Sequence, residues 1–177
     1  MPPSPASALP TLDTERLTLR VHTVADFDDS AAMWGDANVT RYVFGRPLSA
    51  EETWSRLLRY AGLWSLVGYG FWVVRERATG RFVGEVGLAD FHRAVVPALG
   101  GAPEAGWVLA SWAHGRGFAT EAVRAVLAWS DSHLHASRVV CLIAPENAGS
   151  LRVAAKCGFR ESSQGTYNGS EILIFER

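Results

Sequence analysis

The chain has 177 residues, 48% of them hydrophobic and 20% charged, and its formal net charge is −1. That profile fits one globular domain with a substantial core, and the balanced charge gives no electrostatic ground for nucleic acid or an anionic membrane as partner. Cys141 and Cys157 are too few for a disulfide framework, and no apolar run approaches the about 18 residues of a membrane span.

The opening residues, MPPSPASALP, lack both a cationic region and an apolar core. Residues 1–12 therefore read as a flexible tail and not as a secretory signal, and a cytoplasmic enzyme is expected. RLTLRV (16–21) alternates as a half-buried strand does. Thr23 with Asp26 resembles a capping box for a short helix through Phe27, Ala31 and Trp34, and Ser49 with Glu52 forms a second one. Behind the second, Trp54, Leu57, Leu58 and Ala61 fall on one helical face. YGFWVVRER and RFVGEVGLADF, joined by ATG, predict an antiparallel hairpin.

The Gly- and Pro-rich stretch from Val95 to Pro103 predicts a mobile surface loop. A strand from Ala105 to Ala110 leads to a helix from about Phe118 to His133, whose small and apolar face comprises Ala119, Ala122, Val123, Val126, Leu127 and Ser130. RVVCLIAP predicts a strand buried on both faces, which makes Cys141 a core thiol. A short helix follows, with Asn147 near its start and Gly158 just past its end. FRESS and EILIFER close the sheet; Asn168-Gly169 reads as their hairpin turn rather than as part of a glycosylation sequon. The whole is one α+β domain over 13–177, a mixed but mostly antiparallel sheet with helices on both faces.

The stretch EAGWVLASWAHGRGFATEAVRAVLAW places His114-Gly115-Arg116-Gly117 where a strand hands over to a helix. A helix start carries unpaired N–H groups and partial positive charge. Glycines there remove the Cβ atoms that would hold a ligand off, and Arg116 adds a charge-assisted contact. The turn either holds a phosphate or pyrophosphate, or is merely tight. No Gly-Lys-Ser/Thr follows it, and the third glycine of a dinucleotide fingerprint is missing. His133 and His135 lack further ligands at useful spacing, so no metal is expected.

The stretch 114–119 resembles the Q/R-x-x-G-x-G/A signature of the GNAT superfamily of acyl-CoA-dependent N-acetyltransferases, with His114 where Gln or Arg is usual. EAGWVL, FATEAV, DANVTRYV and PENAGSLRVAAKCGF resemble the branch that holds the ribosomal-protein N-terminal (RimJ/RimL-like) acetyltransferases. The resemblance implies acetyl-CoA as cosubstrate and an amine as acceptor, either a protein N-terminus or a small molecule; a homodimer is compatible with it. It implies that the backbone of Gly115, Arg116, Gly117, Phe118, Ala119 and Thr120 cradles the pyrophosphate. Trp107, Val108 and Leu109 would pair with the pantetheine arm, and an N–H near Leu109 would hold the oxyanion. Asn147 is either a pantetheine contact or a helix N-cap.

Some members use a Glu five residues before that Asn and a Tyr seven after it; Leu142 and Ala154 stand there in this chain. Ser150 is then the candidate to protonate the departing thiolate, and Glu104 or Glu85 the candidate base. A surface role is the alternative for His114, and a solvated strand end for either carboxylate. The acceptor pocket is expected to be lined by NVTRYVFG (38–45), the first helices and the loop Val95 to Pro103, and Trp54, Trp64, Trp72 and Trp107 are either an apolar wall of it or core. An α-amine of pKa about 7.7–8.0 costs about 1–1.4 kcal/mol to deprotonate at pH 7, and a lysine about 4.6 kcal/mol. A site without an obvious strong base thus favours an α-amine or another amine of low pKa. The alternative function is a catalytically weak module that binds or senses acyl-CoA.

Overall fold

The computed structural model describes residues 9–177; most of the expected tail, residues 1–8, lies outside them. One sheet of eight strands carries the domain, in the order β1-β2-β3-β4-β5-β6-β8-β7. The strands are β1 (Leu12–Asp13), β2 (Leu17–Val21), β3 (Phe71–Glu76), β4 (Phe82–Ala89), β5 (Glu104–Leu109), β6 (Val140–Ile143), β7 (Arg160–Tyr167) and β8 (Ser170–Glu176). All neighbours are antiparallel except β5 and β6. The helices are α1 (Phe27–Trp34), a single turn α2 (Ala37–Thr40), α3 (Ala50–Leu66), α4 (Phe118–His133) and α5 (Ala148–Lys156). No helix among the described residues is long and apolar enough to cross a membrane.

Helices cover both faces of the sheet. On one, α1 sets Met33 and Trp34 against Val73 and Phe82, and α3 sets Tyr60 and Leu63 against Phe71 and Ala89. On the other, α4 presents Phe118, Ala122, Val123, Val126 and Leu127 to Leu17, Leu19, Trp72, Val86, Leu88 and Leu109. Each large apolar side chain sealed this way contributes about 1.5–3 kcal/mol. Both capping boxes form, at Thr23/Asp26 and at Ser49/Glu52. Asn168 and Gly169, at φ 51° and 78°, make the left-handed turn between β7 and β8. Cys141 is buried, and burial pushes its thiol pKa up.

Two expected features come out differently. The buried stripe of α3 is Thr53, Leu57, Tyr60, Leu63 and Trp64, while Trp54, Leu58 and Ala61 are exposed. Both stripes have helical spacing, but Tyr60 stacks on Phe71 at 4.5 Å and Trp64 meets Trp72 edge-on at 4.7 Å. Aromatic area decides the rotation of the helix. The loop from Val95 to Pro103 is tied down rather than free: Val95 is buried, and Val96 exchanges both backbone hydrogen bonds with Thr166 of β7.

Candidate functional site

β5 pairs with β4 along its length, from Gly84↔Leu109 to Ala89↔Glu104. With β6 it shares only Glu104↔Val140, beside the bond from the Val140 N–H to the Pro103 carbonyl at 3.0 Å. Past that point the two parallel strands separate. The edge of Gly106–Leu109 that faces the gap pairs with no described strand, so its backbone is open to an extended ligand. One side-chain bond crosses the gap: Trp107 Nε1 donates to Ser150 Oγ at 3.2 Å. Ser150 lies in the first turn of α5, where Asn147 acts as N-cap and accepts the Ser150 N–H at 3.1 Å. Because the Ser150 oxygen accepts from Trp107, its own proton is available to donate into the gap.

At the other end of β5 a 3₁₀ turn, Ser111–Ala113, leads to Gly115 and Gly117 at φ 72° and 81°. Both angles lie in the left-handed region that glycine adopts without strain. Gly117 is the N-cap of α4, and no side chain among the described residues caps that helix, although Ser49 caps α3 and Asn147 caps α5. Glu121, which could have served, is turned away to Thr14 Oγ1 at 2.6 Å and Arg16 Nε at 2.7 Å. The first N–H groups of α4 therefore point out unpaired by any side chain, at the positive end of the helix dipole.

Two guanidinium groups border the turn. Arg116 lies over Phe118 at 4.9 Å, with its nearest carboxylate, Glu76, at 3.6 Å. Arg16 donates to the Arg116 carbonyl at 3.0 Å. A Cβ on Gly117 would stand 3.4 Å from the Arg16 guanidinium. His114 is exposed, and its ring reaches back to the Leu109 carbonyl at 2.8 Å. Such a turn suits an anion held mainly by backbone N–H groups.

The two candidate carboxylates occupy separate places. Glu104, where β5 still touches β6, is 8% exposed and takes both its oxygens to Arg93 Nε, at 3.1 and 2.8 Å. Arg93 also donates to the Tyr167 hydroxyl at 3.1 Å. Burial raises the Glu104 pKa, and the Arg93 charge only partly offsets it. Glu85 is 2% exposed beneath α1, where it accepts from Ser30 Oγ at 2.7 Å and Trp34 Nε1 at 2.9 Å, with His22 Nε2 at 3.4 Å. Burial pushes this carboxyl up, but His22, Ser30 and Trp34 together hold its pKa below the usual glutamate value. The Phe71 ring lies over Gly106, between the two carboxylates along β5: a Cβ on Gly106 would fall 2.7 Å from it.

Residues 16–160 match the family described as "Acetyltransferase (GNAT) domain". The chain belongs to this family. It is 28% identical to an uncharacterized N-acetyltransferase, p20, from Bacillus licheniformis over 153 residues, covering 85% of this chain and 83% of the relative. A GnaT-family acetyltransferase structure from Bordetella pertussis superposes with TM-score 0.83 at 35% identity, covering 95% of this chain and 99% of the other. A more distant structure, the RimL ribosomal L7/L12 α-N-protein acetyltransferase in complex with coenzyme A, shares the fold with TM-score 0.78 at 16% identity, over 95% and 97% of the two chains.

In this acetyltransferase the residues proposed for the coenzyme lie along one line: the β5 edge at Trp107–Leu109, then the turn from Gly115 to Thr120. Ser150 and Asn147 face it across the gap. The side chains of Val108, Leu109 and Phe118 turn into the core, so only their backbone is left for a ligand. The tryptophans separate: Trp64 and Trp72 pack with Trp129 at 5.7 and 5.2 Å as core, and Trp54 lies at the surface against Phe27. Only Trp107 of the four borders the gap. Arg16, Arg93 and Tyr167 went unmarked in the sequence. The one local hint was the run Phe91-His92-Arg93 next to a strand end, because Thr14, Arg16 and Tyr167 lie far along the chain from the groups they meet.

Proposed function

We propose that this enzyme moves the acetyl group of acetyl-CoA to a primary amine, a protein N-terminal α-amine or a small-molecule amine, by direct attack in a ternary complex. The observation that carries this is the parting of β5 from β6 directly before a glycine-framed helix start that no side chain caps. The backbone from Gly115 to Thr120, helped by Arg116, holds the pyrophosphate. The pantetheine arm pairs with the β5 edge at Trp107–Leu109 as an added strand would, and a backbone N–H of that edge polarises the thioester carbonyl. The Ser150 hydroxyl, held by Trp107, lies where it can hand its proton to the departing thiolate. It acts by position, since a hydroxyl is a weak acid.

Glu104 takes the part of general base. Its pKa is raised, and it stands where the gap closes. It is three residues from Trp107, about 10 Å along the strand, so the amine proton reaches it through ordered water. Glu85 is a poor alternative, because Ser30 and Trp34 already hold it beneath α1. We read it as the anchor of α1 on the sheet. The stretches DANVTRYV and PENAGSLRVAAKCGF, with the RimL fold likeness, support the ribosomal-protein N-terminal branch.

Calorimetric titration with acetyl-CoA, with ATP as control, tests the coenzyme assignment: selective micromolar binding is the expected outcome. A turnover assay over a panel of amines then separates an enzyme from an acyl-CoA sensor. Selective binding with no product from any amine would leave only the sensor.

A further inference from the structure

Beyond Glu104, on the face of the sheet that carries α3, two arginines lie on aromatic rings without any carboxylate partner among the described residues. Arg56 of α3 is over the Trp34 ring at 4.2 Å and the Phe44 ring at 5.0 Å, and donates to the Tyr60 hydroxyl at 2.9 Å. Arg59, three residues along the same helix, is over the Phe91 ring at 4.7 Å. Arg93 also lies over that ring, at 4.5 Å. The carboxylates nearest by are committed elsewhere: Glu104 to Arg93, Glu85 to Ser30 and Trp34, and Asp90 beside His92 at 3.4 Å. Burial first, and then the like charges of Arg56 and Arg93, hold the Arg59 pKa below its usual value. Arg56 and Arg59 thus hold their charge on aromatic rings, with no carboxylate in direct contact among the described residues.

This charge adjoins the proposed reaction centre. Tyr60 stacks on Phe71 at 4.5 Å, the Phe91 ring is 6.3 Å from Phe71, and Phe71 lies over Gly106 of β5. An apolar floor therefore runs from the open edge of β5 to Arg56 and Arg59, with Glu104 beside it. Phe44, in the segment expected to line the acceptor pocket, belongs to the same group. A guanidinium stacked on a ring keeps its N–H edge for a planar or tetrahedral oxyanion.

We propose that Arg56 and Arg59 form an anion subsite of the acceptor pocket, so that the preferred acceptor is a primary amine that also carries a carboxylate a few bonds away. This rests on the reading of the gap between β5 and β6 as the acyl-transfer site. The anion has two sources, the acid group of a small amino acid or an acidic side chain near a peptide N-terminus, and the test separates them.

Rates of acetylation, each divided by the fraction of neutral amine because an α-carboxylate raises the amine pKa, are compared within matched pairs: an amino acid against its carboxamide, and a short C-terminally amidated peptide with Asp against one with Asn in second place. The acidic member of at least one pair should show a kcat/KM at least tenfold higher, and the pair that responds names the source. Arg59→Gln should bring that ratio close to one, and Arg59→Glu should turn the preference towards diamines. The advantage of the acidic member should shrink as salt is raised. The proposal is overturned if neither acidic member is favoured tenfold over its neutral partner in the wild type. It is equally overturned if Arg59→Gln lowers both members alike with their ratio unchanged. Acetyl-CoA binding with no turnover of any amine would overturn the acetyl-transfer reading itself, a result distinct from a preference for neutral amines.

Discussion

On the proposed assignment, the two ends of β5 recognise by different means. At its C-terminal end the chain offers backbone: an unpaired strand edge, two left-handed glycines and the uncapped start of α4, all within Trp107–Thr120. At its N-terminal end it offers side chains, gathered from α3, the β4–β5 loop, β5 and β7; Arg93 and Tyr167 meet across 74 positions of sequence. Backbone recognition reads features common to many ligands, such as a pyrophosphate or an extended amide arm. Side-chain recognition reads what is particular to one acceptor. The coenzyme end should therefore fail when backbone geometry is altered, and the acceptor end when charge is altered.

The largest effect on coenzyme binding should come from Gly117→Val. It places a β-branched side chain at φ 81°, beside the Arg16 guanidinium and against the space assigned to the pyrophosphate. Affinity for acetyl-CoA should fall at least about 100-fold, some 2.7 kcal/mol, measured by calorimetry. The matched control is Gly158→Val. Gly158 has φ 84° and open space around it, so that variant should carry a similar backbone cost, about 1–2 kcal/mol, and bind acetyl-CoA as before. Equal loss of binding in both variants would mean that strain, not contact with the coenzyme, governs the turn.

The same contrast explains what was legible in the sequence. Glycines, caps and turn residues act on their immediate neighbours, so the helix Phe118–His133, the Asn168-Gly169 hairpin and the Thr23 and Ser49 capping boxes were all readable. The rotation of α3 was not, because two stripes share its spacing and only the position of Phe71 and Trp72 chooses between them. Glu104 was found as a residue type, but its partner Arg93 lies just ahead of the loop 95–103, whose composition spoke of mobility. That loop is anchored through Thr166, which local pattern does not reveal. Glu85 shows the converse: its type suited a base, and burial beneath α1 became visible only in three dimensions.

The proposed acceptor end is broken most directly at Glu104, and Glu85, opposite Val108 near the other end of β5, should respond in the opposite way. Glu104→Gln should lower kcat by about 10²–10⁴-fold, a loss beyond the stability it takes by leaving Arg93 without its carboxylate. Glu85→Gln should instead cost about 1–3 kcal/mol of stability by unsettling the Ser30 and Trp34 donors. The Glu85 pKa is depressed in the folded protein, so its contribution is full above the unfolded value and is lost as pH falls through the folded one. The stability gap between wild type and Glu85→Gln should therefore narrow in acid. Reversal of the two phenotypes would exchange the roles assigned to these residues.

Glu104 is raised, so the acid limb of kcat/KM should lie above the ordinary glutamate range. Arg93 lowers that pKa against the larger effect of burial. Arg93→Gln should thus move the limb to still higher pH, and an unmoved limb would mean that another group titrates.

The smallest effect belongs to the one bond that crosses the gap. Ser150→Ala removes the acceptor of Trp107 Nε1 and the proton proposed for the thiolate, while Asn147 can still cap α5 through the backbone N–H of residue 150. The helix should therefore survive. If Ser150 is the acid, kcat falls by about tenfold or somewhat more and the KM for acetyl-CoA changes little, since a group that acts only in the transition state leaves ground-state binding unaltered. If it merely holds Trp107 beside the pantetheine arm, KM rises and kcat is kept. An acyl donor with a better leaving thiol distinguishes the cases further: a thioester whose thiolate needs no protonation should recover the rate of Ser150→Ala only when Ser150 supplies the proton.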